Sequence, residues 1–431
     1  MDMQPFTGKS LLALNNPSTS IQAYEGAVRS GKTITSLIDW VRFIRQAPAG
    51  NLLMTGRTER TIVNNLLLPL QEMFGPSRVK ITISGGTVTI MGRKVLIIGA
   101  NNEAARTKIQ GLTLAGAYVD EASTLPESYF KMLYTRLSVE GAKLWLTANP
   151  EGPSHWLKTD WLDKAKLWID AQGKFHRNDA DNALDLHRYT FLIDDNKSLP
   201  ADYVDRQKRS YKGLFYRRYI LAEWVAGDGA VYDMWNPDRH VIPWEKLPPM
   251  VRIISVGIDY GTQHPTVAVA LGLGYDRKLY LLDELRLEPP NDAERFNDAK
   301  QSALIKAWIA EDHTPEKQGL KPDWIIADQA GLSLRTQLKD DGVTTQSANK
   351  AVLYGISTLS WLLGEGQLFV SDRCPGVIKE MTGYSWDPTA AAKGEDKPLK
   401  TADDGLDAMR YAVVTTEAIW QSELISSRAR F

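Results

Sequence analysis

Gly26-Ala27-Val28-Arg29-Ser30-Gly31-Lys32-Thr33 is the stretch on which the first half of the chain turns. It satisfies G-x-x-x-x-G-K-[ST] at every fixed position. The glycines let successive backbone N–H groups converge on an anion, and a helix starting at Thr33 adds the positive end of its dipole. Lys32 would then reach the β- and γ-phosphates, and the Thr33 hydroxyl would ligate Mg²⁺. The alternative is a solvated glycine turn.

Working outward, the pattern supports the first reading. Leu52 to Thr55, Val95 to Ile98, Ala117 to Val119 and Leu144 to Thr147 are short apolar runs of the kind buried strands leave. Thr33 to Arg45 and Glu59 to Phe74 read as helices, and Ile81 to Ile90 as a hairpin turning at Gly85-Gly86. Strands alternating with helices predict an α/β layer fold. Ala117-Tyr118-Val119-Asp120-Glu121 is an apolar strand ending in two carboxylates. Asp120 would hold Mg²⁺ and Glu121 would polarise the attacking water. A GTPase or nucleotide kinase needs no second acid there, so the pair favours ATP hydrolysis. Thr147-Ala148-Asn149-Pro150 ends the next strand and would lie beside the γ-phosphate.

The second half has a different rhythm. Ile253 to Asp259, Thr266 to Leu271 and Lys278 to Asp283 follow one another too closely for crossovers, so they should pair antiparallel. A helix over about 293–311, a strand at Trp324 to Asp328, a helix at Lys350 to Leu363, a strand at Leu368 to Val370 and a helix over about 404–419 complete the order. That order is the one found in ribonuclease H-like folds. Asp259 and Asp328 end strands, and Asp403, Asp404 and Asp407 open the last helix, where Asp404 and Asp407 share a face. Carboxylates gathered in this way repel one another unless hard cations neutralise them, and oxygen-only ligands suit Mg²⁺ or Mn²⁺. Two such ions about 4 Å apart activate a water and stabilise a leaving oxygen of a phosphodiester. The six histidines are scattered, without the H-E-x-x-H or Cys/His spacing of a zinc hydrolase.

At 431 residues, the chain has room for two or three domains of roughly 150 residues. The boundaries expected are a P-loop ATPase domain over 1–228, with a helical subdomain at about 195–228, a linker over 229–250, and a nuclease domain over 251–431. Gly227-Asp228-Gly229 and the prolines from Pro243 to Pro249 mark the linker. Trp156 to Tyr219 is aromatic and charged, with few strand signals, and reads as irregular and helical packing at the edge of the first domain. Lys+Arg 51 against Asp+Glu 52 gives a net charge of −1, so a nucleic-acid partner must be met by local basic stripes. One cysteine, Cys374, excludes an intrachain disulfide and a zinc ribbon. No signal peptide or membrane-length apolar run is evident, and a soluble intracellular protein is expected.

Both motif sets, in this order, resemble the large terminase subunits of tailed double-stranded DNA bacteriophages. The resemblance rests on Gly26 to Thr33, Val119-Asp120-Glu121-Ala122-Ser123, Thr147 to Pro150, Val256 to Gly261, Ile326-Ala327-Asp328 and Asp403 to Tyr411. It implies a RecA/ASCE-like ATPase followed by a ribonuclease H-like nuclease. It further implies an ATP-driven motor that moves double-stranded DNA into a procapsid and cuts concatemeric DNA with a two-metal endonuclease site. Gln22 then corresponds to an adenine-contacting glutamine, Arg29 to a P-loop arginine, and Arg136, or else Arg106, to an arginine finger acting on a neighbouring subunit. ATP with Mg²⁺ belongs to the first site, lined by Gly26, Arg29, Ser30, Gly31, Lys32, Thr33, Asp120 and Asn149. Two Mg²⁺ or Mn²⁺ belong to the second, held by Asp259, Asp328 and Asp404, with Asp407 and Asp403 as further ligands. Implied partners are DNA, the portal protein, the small terminase subunit and further copies in a ring on the procapsid. No membrane is involved, and the setting is the host cytoplasm.

Arg206 to Lys212 and Arg217-Arg218, interleaved with Tyr203, Phe215, Tyr216 and Tyr219, could grip phosphates or form the solvated face of a packed helical subdomain; packing is the favoured reading. Trp156, Trp161 and Trp168 read as core; Lys350, opening a helix after Ser347-Ala348-Asn349, could approach the nuclease site, with surface solvation the favoured reading. Two other functions compete. A helicase or repair translocase with a nuclease should carry a second RecA-like domain. A nucleotide-switched assembly protein should lack clustered acids in its second half.

Overall fold

A computed structural model describes residues 5–261, 264–288 and 296–424. The chain divides into two compact units, Met1–Ala226 with Thr389–Glu395, and Gly227–Pro388 with Asp396–Phe431.

In the first unit, the strands are β1 (Ile21–Gly26), β2 (Asn51–Gly56), β3 (Val79–Ser84), β4 (Thr87–Ile90), β5 (Arg93–Gly99), β6 (Leu114–Val119), β7 (Lys143–Ala148), β8 (Ala165–Ile169), β9 (Phe175–Arg177) and β10 (Leu184–Phe191). They form one sheet in the order β3-β4-β5-β2-β6-β7-β1-β10-β8-β9. Every neighbour from β5 across to β8 is parallel. The expected hairpin, β3 with β4, adds an antiparallel edge. Parallel strands need helices on both faces, and alternate residues show it. Tyr24, Met54, Tyr118 and Trp145 join one core with Leu37, Trp40 and Ile44 of the helix Lys32–Ile44. Ala23, Leu53, Val119 and Leu146 join another with Tyr129, Phe130 and Leu133 of the helix Glu127–Arg136.

The stretch Trp156 to Tyr219 departs from expectation, because it supplies β8, β9 and β10, and β10 lies directly against β1. β10 carries Asp185, His187 and Arg188, a composition that hides a central strand. Arg188 is tolerated inside because its Nε donates to Glu25 Oε1 at 2.9 Å, while Thr190 and Trp224 also donate to that carboxylate. The helix expected at Glu59 to Phe74 is interrupted by a wider π turn at Val63–Leu67.

In the second unit, β11 (Val241–Ile242), β12 (Met250–Asp259), β13 (Thr266–Gly274), β14 (Leu279–Leu287), β15 (Pro322–Ala327), β16 (Gln346–Ser347) and β17 (Leu368–Ser371) form a sheet in the order β11-β17-β14-β13-β12-β15-β16. β12, β13 and β14 are antiparallel, while β15 runs parallel to β12 and β16 parallel to β15. This is the ribonuclease H-like arrangement. The helix Asp404–Thr415 packs so closely on β12 that a Cβ at Gly257 would stand 2.1 Å from the Ala408 carbonyl oxygen. Only glycine permits that approach. The helix expected from residue 293 runs from Asp298 to Ala310; residues 293–295 lie outside those described.

The stretch 229–250 is more than a linker. β11 pairs in parallel with β17, and buried His240 lies with Nε2 3.1 Å from the Leu363 carbonyl. Its prolines punctuate edge elements of the second unit. Among the described residues no helix is long and apolar enough to cross a membrane.

Candidate functional site

β1 and β6, which carry the two phosphate-handling motifs, are separated by β7. That inserted strand brings Thr147 and Asn149 between them, at the carboxyl ends of parallel strands where such sheets bind ligands. There the chain forms a cleft of about 670 Å³, lined by Arg29 to Thr33, Asp120, Glu121, Thr147 and Asn149. Gly26 has φ +132°, and a Cβ there would stand 2.1 Å from the Phe191 carbonyl oxygen. Gly31 opens the helix at φ +85°. The loop is anchored from behind: the Ala27 N–H donates to Phe191 O at 2.8 Å and the Val28 N–H to Tyr219 O at 3.0 Å. Those bonds leave the following turn to face the cleft.

Lys32 Nζ donates to Ala27 O at 3.0 Å and to Asn149 Oδ1 at 2.7 Å. Burial pushes its ammonium down to about 8, against the pull of Asp120, Glu121 and Glu25. Asp120 is buried and accepts from Thr147 at 2.9 Å and Asn65 at 3.1 Å. Burial raises its carboxyl, and those hydrogen bonds and Lys32 oppose the shift. Glu121 is raised by burial and then by Asp120, which moves it toward the range of a useful proton acceptor. Its φ of +49° is a strained conformation for a non-glycine residue, the kind that marks functional positions. The Glu121 N–H donates to Thr147 Oγ1 at 3.0 Å, and Ser123 Oγ donates to Asn149 O at 3.1 Å. Ser30 and Thr33 line the same cleft, as do Phe6, Asn65 and Asn196, which no spacing pattern singles out. Arg29 lies there too, at φ +56°, its carbonyl accepting from Asn196 Nδ2 at 2.8 Å.

Gln22 is a correction. It is wholly buried near the start of β1, donating to Ser18 O at 3.0 Å and accepting from the Tyr189 hydroxyl at 3.1 Å. Four residues of strand, about 13 Å, separate it from Gly26, and it is not among the cleft-lining residues. Adenine contact does not fit this position. Arg136 ends the helix Glu127–Arg136 half-buried, donating to Gln110 O at 2.8 Å, and Arg106 is exposed in the turn Glu103–Lys108. Neither lines the cleft of its own chain.

In the second unit the acids gather at the ends of β12 and β15 and the start of the helix Asp404–Thr415. Burial pushes Asp259 up to about 7, assisted by Asp407, Asp404 and Asp328 in that order. Its charge is therefore penalised by three neighbouring carboxylates, which a hard divalent cation would relieve. The donor set fits Mg²⁺ or Mn²⁺ in this respect. Among the described residues, no three acids or histidines already share the geometry of one ion's ligands. Ammonium and guanidinium groups hold them. Lys400 Nζ lies 3.1 Å from Asp403 Oδ2 and 3.4 Å from Asp407 Oδ2, and Arg410 lies 2.6 Å from Asp407 Oδ1. Burial works to raise Asp328, but Lys350 and the Ala330 N–H together hold it below its ordinary value. Of the two readings of Lys350, approach to the acids is the one seen, since its exposed side chain pairs with Asp328 at 2.8 Å. Asp403 and Asp407 are buried and Asp404 is half-exposed and raised, first by burial.

The basic stripe divides between the helices Ala201–Ser210 and Gly213–Tyr219. Arg218 is buried, donating to Val225 O at 2.8 Å and facing Glu151 at 3.3 Å, so it braces the fold. Arg206, Arg209 and Arg217 are exposed. Trp156 and Trp161 pack on Phe130 with ring centroids 5.1 and 5.0 Å away, as core residues do.

Sheet order and side-chain placement together define a P-loop ATPase joined to a ribonuclease H-like, metal-dependent endonuclease. The family described as "Terminase large subunit, T4likevirus-type, N-terminal" matches residues 23–235. A large terminase from a thermophilic bacteriophage is 32% identical, with a TM-score of 0.80 over 96% of this chain and 99% of that one. The same phage enzyme in complex with ADP gives 31% identity and a TM-score of 0.78 over 95% and 99% of the two chains. Comparison with curated proteins gives no match. The chain belongs to the large terminase family, the DNA-packaging motors of tailed phages.

Proposed function

We infer that this chain hydrolyses ATP to drive double-stranded DNA into a procapsid and cuts concatemeric DNA at a two-metal site. The observation that carries the reading is the convergence of Lys32, Asp120, Glu121 and Asn149 on one cleft, with a separate gathering of acids in the other unit. Lys32 and the N–H groups of residues 29–33 hold the phosphates, while Thr33 and Asp120 hold the accompanying Mg²⁺. Glu121 takes the proton of the attacking water. Asn149, bonded to Lys32, senses whether a γ-phosphate has drawn the lysine away. Arg29 neutralises phosphate charge from within the loop, and half-buried Arg136, outside the cleft of its own chain, acts on the neighbouring subunit of a ring.

Asp259, Asp328 and Asp404 would hold the nuclease cations, with Asp407 and Asp403 beside them; Asp404 leads because Lys400 and Arg410 already engage the Asp407 carboxylate. Two bound Mg²⁺ or Mn²⁺ would supply an activated water and neutralise the leaving oxygen. Partners are the portal, the small terminase subunit and DNA, in the host cytoplasm. The thermophilic phage terminase solved with ADP supports nucleotide use here. The translocase reading finds no second RecA-like sheet among the described residues, since the second unit's sheet has the ribonuclease H-like order.

The test is DNA protection. Procapsids bearing portal, small subunit, linear DNA and ATP are mixed with the protein and treated with DNase. Wild type and Asp259→Ala should protect DNA, and Lys32→Ala should not. Protection by Lys32→Ala equal to wild type would defeat the reading.

A further inference from the structure

The chain from 346 to 351 is tied along the end of the strand that carries Asp328. Gln346 and Ser347 pair with Ile326 and Ala327. The Ala348 N–H donates to Ala327 O at 3.0 Å, and the Asn349 N–H to Thr415 Oγ1 at 3.0 Å. The Ala351 N–H returns to Asn349 Oδ1 at 3.1 Å. A backbone pinned at four consecutive residues and again at Ala351 fixes the point from which the Lys350 side chain reaches. Its Nζ lies 2.8 Å from each of the two Asp328 carboxylate oxygens. The backbone donors to that carboxylate are local, the Ala330 N–H at 2.9 Å to Oδ1 and the Gln329 N–H. Lys350 thus straddles the edge of Asp328 by which a cation would bind, yet its side chain remains 48% exposed and free to swing out.

A Mg²⁺ ion sits about 2.0–2.1 Å from its carboxylate oxygens. An ammonium group at that same edge cannot persist beside it, because two cations at a few ångströms repel. We propose that Lys350 is a positioning residue that competes with the divalent cation for Asp328, so that the nuclease is armed only when the cation displaces the ammonium. The proposal rests on the two-metal reading of the acids. It makes Lys350 a brake on unprogrammed cutting, and it predicts that removing the ammonium strengthens cation binding.

Mn²⁺ is titrated into the full-length protein without nucleotide, and free Mn²⁺ is read by electron paramagnetic resonance. The proteins are wild type, K350M, K350R, D259A and K350M/D259A. K350M keeps the length of the side chain and loses the charge, so the Asp259-dependent sites should tighten about tenfold. K350R keeps the charge on a fork that suits a carboxylate and should bind Mn²⁺ no more tightly than wild type. In the D259A background, K350M should change nothing further. Unchanged or weaker Mn²⁺ binding in K350M, with D259A still losing its sites, overturns the role of Lys350 alone. Identical titrations of wild type and D259A overturn the metal-site reading and the brake together.

Discussion

The Thr147 hydroxyl donates to Asp120 Oδ1 at 2.9 Å while accepting the Glu121 N–H at 3.0 Å. One side chain from β7 therefore orients both acids that follow β6. Thr147→Val keeps the shape and removes both bonds. ATP turnover should fall by about 10- to 100-fold, the range seen when a residue supporting a metal ligand is lost. Metal-dependent nicking should be unchanged. Turnover within twofold of wild type would show that Asp120 and Glu121 do not depend on this hydroxyl.

Burial brings the Lys32 ammonium down to about 8. In the free protein the amine therefore loses its proton as pH rises through that value, whereas bound phosphates favour the charged form. Nucleotide binding above that pH must take up a proton, so affinity falls as pH rises, by up to about tenfold per pH unit between roughly 8 and 9.5. Below about pH 7 the lysine is already charged, and this contribution is flat. Titration of a fluorescent nucleotide in EDTA reads the slope. Lys32→Arg, charged throughout, should abolish it; the same slope in both proteins would assign it elsewhere.

Gly257 lets the helix bearing Asp407 lie against β12, the strand that ends in Asp259. An added Cβ would stand 2.1 Å from Ala408 O and 2.7 Å from Ala412 N. Gly257→Ala must push the helix outward, and displacements near 1 Å can lower a rate by about 100-fold. DNA nicking should drop at least about tenfold on that basis, while overpacking lowers stability by about 1–3 kcal/mol. ATPase turnover should stay near wild type. Urea unfolding and plasmid nicking measured together check this, and undiminished nicking would mean that the acids do not need this close packing.

What the sequence disclosed, and what it hid, follows from the range of the interactions. The glycine–lysine loop and the acids ending β6, β12 and β15 are local patterns, and the fold keeps them where the patterns put them. β10 escaped because the charge of Arg188 is balanced by Glu25, 163 positions away, a pairing that no window along the chain contains. Lys350 was legible only as one of two readings, because its partner Asp328 lies 22 positions back along the chain. Gln22 misled in the opposite sense. The resemblance alone implied an adenine contact there, and Ser18 and Tyr189 satisfy its amide inside the sheet. The prolines of 229–250 mark turns correctly but do not reveal that Val241 and Ile242 lengthen a sheet.

The central claim is that two hydrolytic sites operate in separate units of one chain. The most direct measurement incubates supercoiled plasmid with Mn²⁺ or Mg²⁺ and follows cutting and ATP hydrolysis in wild type, Asp259→Ala and Lys32→Ala. Asp259→Ala should lose cutting and keep ATP hydrolysis, and Lys32→Ala should lose ATP hydrolysis and keep at least part of the cutting. Equal loss of both activities in both variants would contradict the claim.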